Sequence, residues 1–114
     1  MQEKNIISYE EFKNIEMKVG KIISAEIVED ADKLYKFMVD VGEENPRQIL
    51  SAIREYYGDP EFFINKKLVF VTNLAPRTIR GLESQGMVLA VDGEDGNPVF
   101  LVPEKEAPSG SKVR

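Results

Sequence analysis

The sequence contains neither cysteine nor histidine. Without cysteine there can be no disulfide, iron–sulfur cluster or thiolate zinc site, and nothing in the chain depends on an oxidising compartment. Without histidine the commonest general base and the imidazole metal ligand are missing, which leaves Ser, Thr, Lys, Tyr and carboxylates for any chemistry. Ser84 next to Glu83 makes no triad, and the carboxylates of DGEDGN at 92–97 lack the ligand series and closing Glu of an EF-hand loop. No catalysis, cofactor or metal is expected. Long apolar runs are also lacking: nothing approaches the roughly 20 residues that cross a bilayer, and MQEKNIISYEEF has no signal-peptide core. The expectation is a soluble, cytoplasmic chain with no membrane partner.

The composition that remains is that of a globular protein, 42% hydrophobic and 31% charged over 114 residues, enough for a single domain spanning 1–114. A net charge of -5 argues against unselective binding to polyanions, so an anion site has to be local. The charge is in fact segregated. Residues 66–90 carry Lys66, Lys67, Arg77 and Arg80 against Glu83, whereas 91–106 carry Asp92, Glu94, Asp95, Glu104 and Glu106 against Lys105. With screening over roughly 8 Å at physiological salt, a basic face can act although the whole molecule is acidic.

The local patterns are those of short strands. Ser8 and Glu11 have capping-box spacing, which predicts a helix over about 9–14 with Phe12 and Ile15 on one face. KVGKIISAEIV at 18–28 reads as a strand, with Gly20 as a bend or bulge, and 34–41 reads as its hairpin partner. RQILSAI at 47–53 is a third strand, REYYGDPEFFINKK is broken into helical turns by Gly58 and Pro60, and KLVFVTN at 67–73 is a fully buried strand. GMVLAV at 86–91 and PVFLV at 98–102 complete the set. Such a series predicts an all-β fold with short helices, a five-stranded Greek-key barrel of OB type over about 18–92 followed by an extension over about 93–114.

Between two apolar runs lies NLAPRTIRGLESQG, 73–86. Pro76 fixes φ, Gly81 and Gly86 permit conformations closed to other residues, and Ile79 and Leu82 can anchor the segment, so this basic loop is expected to hold a definite shape.

VGKI at 19–22, ADKLY at 31–35, RQILSAI at 47–53 and NLAPRTIRGLESQGMVL at 73–89 together resemble the tRNA-binding domain of methionyl-tRNA synthetases, free-standing tRNA-binding proteins and related synthetase cofactors. The resemblance runs from about Phe12 to Lys112, and its most specific part is N-L-x-P-R…G-x-x-S-x-G-M. It implies an OB barrel whose C-terminal extension builds a homodimer with a composite surface for the outer corner of tRNA. It further implies a beta subunit or trans-acting module of a methionyl-tRNA synthetase, with a catalytic subunit as possible partner.

Carried over by motif, the RNA-binding residues are Lys33, Asn73, Arg77, Ser84 and Met87; charge and placement add Arg80, Lys18 and Lys21. Arginine and lysine meet phosphates, Ser and Asn can bond phosphate, sugar or base edges, and Met offers a soft apolar surface to an unstacked base. Each has an ordinary alternative. Asn73 can cap a turn, Ser84 can bond its own loop, Met87 can belong to the core, and Lys33 can be a plain turn lysine. Two departures stand out: Glu29-Asp30 replaces the usual His-Pro and puts acid beside Lys33, and Thr78-Ile79 replaces Lys-Leu or Lys-Met, removing a cation that Arg80 can supply. A second reading is a chaperone-like, peptide-binding dimer of the same fold family, with Tyr57, Phe62 and Phe63 as candidate groove aromatics.

Overall fold

A computed structural model describes residues 5–114. Its first element is a single helical turn, α1 (Tyr9–Phe12), shorter than the spacing predicts. The capping box is formed: Ser8 Oγ accepts from the Glu11 N–H at 3.1 Å, and Glu11 Oε1 accepts from the Ser8 N–H at 3.2 Å. Phe12 is partly buried, whereas Ile15 remains exposed.

The barrel is built on one long strand. β1 (Met17–Ile27) pairs antiparallel with β4 (Lys67–Val71) through Met17 to Lys21 and with β2 (Tyr35–Asp40) through Lys21 to Ile27. β2 pairs with β3 (Arg47–Ser51), and β4 with β7 (Met87–Val88), giving the order β3-β2-β1-β4-β7. This is a nearly closed, five-stranded OB-type barrel. Strand alternation sets the interior: Tyr35, Phe37 and Val39 of β2 point inward while Lys36, Met38 and Asp40 are partly exposed. They meet Ile22, Val41, Ile49, Ile53, Leu68, Phe70 and Phe63, the last supplied by a 3₁₀ turn (Pro60–Phe63) capped by Asp59. The strand expected to be fully buried over 67–73 is shorter: β4 ends at Val71, 68–71 are buried, Lys67 is partly buried and Asn73 is exposed.

Gly20 is neither bend nor bulge. An added Cβ would lie 2.6 Å from Val39 Cγ1 and 2.7 Å from Phe70 Cδ1, so glycine is needed for close packing. The register shift of β1 falls instead between Ile22 and Ser24.

The segment read as a loop is a hairpin. β5 (Arg77–Ile79) pairs with β6 (Leu82–Ser84), and the two residues between them, Arg80 at φ 53° and Gly81 at φ 80°, make a type I′ turn. The run 86–91 is likewise divided, into β7 and β8 (Ala90–Asp92), which pairs with β9 (Pro98–Phe100). Finally β10 (Lys112–Val113) joins β1 at Met17 and Lys18, on the edge that β2 leaves free. Backbone bonds from Gly110 N–H to Val19 O at 2.7 Å and from Val19 N–H to Ser111 O at 2.8 Å hold this tail to the barrel. Among the described residues no helix is long and apolar enough to cross a membrane, and no His, Cys, Asp and Glu group could hold a metal.

Candidate nucleic-acid interface

The β5–β6 hairpin leans on the barrel by its inward face. Arg77 opposes Ser84 and Ile79 opposes Leu82, so these four share a face, while Thr78 and Glu83 lie on the other. Ile79 and Leu82 pack on a small cluster of Val28, Ala31, Leu34 and Leu50, separate from the main core. This contact fixes the hairpin over the turn that carries Lys33.

Two depressions meet at Ile79. One, of about 310 Å³, is lined by Asp30–Leu34, Ile79 and Arg80; the other, a narrow apolar cleft of about 60 Å³, is lined by Leu50, Leu74, Ala75, Arg77, Ile79, Ser84, Gly86 and Met87. Lys33, Arg77, Arg80 and Met87 are thus brought to one face. Met87 belongs to that surface and not to the core, at 44% exposure, and Leu74 stands beside it at 46%. Arg77 and Arg80 are exposed, and among the described residues neither enters an ion pair. Lys33 is 3.9 Å from Glu55, an exposed pair that high-dielectric solvent makes weak.

The other expected contacts are used within the fold. Ser84 is buried; its Oγ accepts from the Leu50 N–H at 3.0 Å and donates to Gly86 O at 3.1 Å. With Gln85 N–H donating to Gln48 O at 2.8 Å and Gln48 N–H to Gln85 Oε1 at 3.0 Å, it closes the barrel between β3 and residues 84–86. The Ser84 hydroxyl, expected to contact RNA, is thus engaged within the fold. Asn73 is similar: Oδ1 accepts from the Glu16 N–H at 2.8 Å and Nδ2 donates to Asn14 O at 2.6 Å, which ties the segment after α1 to the end of β4. Both ends of its amide are occupied.

Lys18 and Lys21 do not join the basic face. Lys18 Nζ is 3.8 Å from Glu16 Oε1, while Lys21 lines a separate hollow with Asn65, Lys67 and Val102–Glu106. There Lys67 bonds Ala107 O at 2.7 Å and pairs with Glu106, another tie on the C-terminal extension. The acidic turn between β8 and β9 is held within itself, with Asp95 Oδ1 accepting from the Asn97 N–H at 3.0 Å and the Gly93 N–H donating to Asn97 O at 2.8 Å.

One charged residue that matters was not singled out from the sequence. Arg47 donates from Nε and Nη2 to Glu43 Oε1 and Oε2 at 2.8 and 2.6 Å, and from Nη1 to the carbonyls of Thr72 and of Gln85, the latter at 3.1 Å. The guanidinium holds the Glu43 carboxyl below the usual carboxylate range. Glu16 is lowered chiefly by the Thr72 hydroxyl, which donates to it at 2.6 Å, and further by Lys18 and Arg47. The Arg in RQIL is a visible signal and Glu43 lies only four residues before it, but the carbonyls it reaches, of Thr72 and Gln85, lie 25 and 38 positions away in sequence.

Residues 17–112 match the family model described as "Putative tRNA binding domain". The chain belongs to this family. Methionine–tRNA ligase of Enterococcus faecalis is 45% identical over 107 residues, which are 94% of this chain and 16% of that enzyme. The chain spans about one sixth of the length of the curated relatives it matches. Among solved structures, a MetRS related protein from Pyrococcus horikoshii superposes with a TM-score of 0.88 at 35% identity, covering 97% of this chain and all of that one. The chaperone CsaA from Bacillus anthracis gives 0.84 at 28% identity, covering 96% and 100%.

Proposed function

We propose that this tRNA-binding domain is a non-catalytic module that recognises folded tRNA by shape and backbone, and that it works in trans as the beta subunit of a methionyl-tRNA synthetase. The observation that carries the reading is the pair of exposed arginines, Arg77 and Arg80, without an ion pair among the described residues and held on one hairpin, with Lys33 lining the same depression as Arg80 and Arg77 lining the adjoining cleft. Three cations on a rigid face can neutralise successive phosphates, while Leu74 and Met87 offer apolar surface to a base or ribose at their side. Binding of this sort raises the local concentration of tRNA at a catalytic subunit without chemistry of its own.

Half-exposed side chains on and beside the C-terminal extension support a homodimer. Val91 and Val99, cross-strand partners on β8 and β9, are 49% and 48% exposed, and Val102 is 62% exposed. A peptide-binding, chaperone-like dimer is the second reading, favoured by the likeness to a solved chaperone and by the apolar Leu74 and Met87. Phe63 is fully buried and serves as core, so it is not available to line a peptide groove.

The test is tRNA retention titrated against salt. The tRNA reading requires preference for folded over tertiary-disrupted tRNA and a log–log slope of about -0.7 to -0.9 per phosphate contact. Binding to unfolded polypeptide without tRNA retention at low salt would establish the other.

A further inference from the structure

The basic segment leaves the barrel after Thr72 and returns at Gln85, and one side chain holds both points. Nη1 of Arg47, the first residue of β3, donates to the Thr72 carbonyl and, at 3.1 Å, to the Gln85 carbonyl. The opposite edge of the guanidinium is gripped by both carboxylate oxygens of Glu43, at 2.8 and 2.6 Å. A bidentate pair fixes the guanidinium plane, so Glu43 aims Nη1 at the mouth of the segment. Inside that mouth the segment's hydrogen bonds to β3 are few, from the Ser84 hydroxyl, Gln85, and Gln48 Nε2 donating to Glu83 O at 2.8 Å, all on its returning strand, while Ile79 of the departing strand is held by apolar packing alone. The departing strand, which carries Arg77, is linked to the returning end through Arg47 and through the β5–β6 ladder.

We propose that Arg47, aimed by Glu43, is a positioning residue for RNA binding: it staples the two ends of residues 73–84 and so sets where Arg77 and Arg80 stand. The inference rests on the tRNA-binding reading above. Arg47 acts through the hairpin, not by touching RNA, because four of its five N–H donors are already directed to protein acceptors. Lysine, a point charge on a flexible stem, could not hold a carboxylate and two carbonyls in one plane. The competing role is direct phosphate contact, since Arg47 also borders an open hollow of about 430 Å³ with Asn45, Pro46, Leu74 and Pro76.

Glu43→Gln separates the two roles in the full chain. Removing an acid near bound RNA and freeing Arg47 for phosphate should tighten binding if Arg47 is a contact. Loss of the aimed fork should weaken tRNA binding, about five- to tenfold, if Arg47 is a positioner. Arg47→Gln should weaken binding by a similar factor at an unchanged salt slope, and amides of Arg77–Ser84 should exchange at least tenfold faster while those of β2 and β4 keep their protection. Tighter binding by Glu43→Gln, or a slope reduced by about one contact in Arg47→Gln, overturns the proposal. If Arg47→Gln fails to fold, the direction of the Glu43→Gln effect decides. If the unaltered protein retains no tRNA, the functional reading fails by itself. Faster exchange confined to residues 77–84 then upholds the staple, and unchanged exchange sinks it.

Discussion

Arg80 occupies a position where Asn or Gly would be the easier choice. Its φ of 53° lies in the left-handed region, where a side chain with a Cβ costs roughly 1 kcal/mol, and the type I′ turn it shares with Gly81 is usually Asn-Gly. The side chain receives no compensation from packing or an ion pair among the described residues, so the local conflict points to use of its charge. Arg80→Asn should therefore raise stability by up to about 1 kcal/mol in urea denaturation and lower the magnitude of the tRNA salt slope by about one contact's share. A stabilised variant with the slope of the parent would mean that Arg80 does not meet phosphate. Thr78, which stands where the family commonly has lysine, lies on the opposite face of the hairpin from Arg77, so the cation it lacks belongs to a different side of the hairpin. Ser84 and Asn73 show what residue types in a loop cannot reveal. Polar side chains between strands look available to a ligand, yet each is satisfied by a backbone group 34 or 57 positions away, a partnership visible only once the chain has folded.

At the level of elements, alternation and burial made most of the barrel legible. Tyr35, Phe37 and Val39 against Lys36, Met38 and Asp40 is a period-two pattern that holds in β2, and the unbroken apolar run 68–71 is buried in β4. The β5–β6 hairpin was hidden because its apolar signal is only Ile79 and Leu82, too few for a period, and because its turn uses Arg-Gly. β10 was hidden because two residues have no pattern at all; only the vacant edge of β1 explains it. Gly20 was noticed for the right residue and the wrong reason, since a glycine's backbone freedom can be read locally but its contacts cannot. Val39 and Phe70 press on Gly20 from β2 and β4, where β1 passes from one partner to the other. Gly20→Ala should then overpack the core and cost about 1–3 kcal/mol, seen as a lowered urea midpoint at constant m-value. The same exchange at Gly58, where nothing lies within 4 Å of the added Cβ and φ is not positive, should leave the midpoint nearly unchanged or slightly raised. Equal effects at the two positions would show that the close approach at the strand crossing does not govern stability.

For the whole molecule the question is how an acidic protein presents a basic face to a polyanion. The hairpin segment 73–86 carries two arginines against Glu83 alone, and two of the tail's ties to the barrel use Lys67, one of them through Glu106, so that lysine is occupied away from the hairpin. On the reading proposed here, the cations that the two depressions offer to phosphate are few among the described residues: Lys33, Arg77 and Arg80. Three contacts give a shallow salt dependence, and a tRNA corner is wider than one hairpin, so a second copy of the face would matter. Val99 lies on the extension expected to join two chains, half-exposed and paired with the equally exposed Val91 at the end of the barrel. Val99→Lys puts a charge on that surface at a position where the fold itself should lose less than about 0.5 kcal/mol. By sedimentation, the parent should be a dimer at micromolar concentration and Val99→Lys a folded monomer. If one tRNA spans both hairpins, the monomer should show roughly half the parent's salt slope and much weaker binding. If each hairpin takes its own tRNA, the slope per tRNA should stay constant while two tRNAs bind per dimer. A parent protein that sediments as a monomer and still binds tRNA with the steeper slope would exclude a dimeric surface, and would require cations beyond these three.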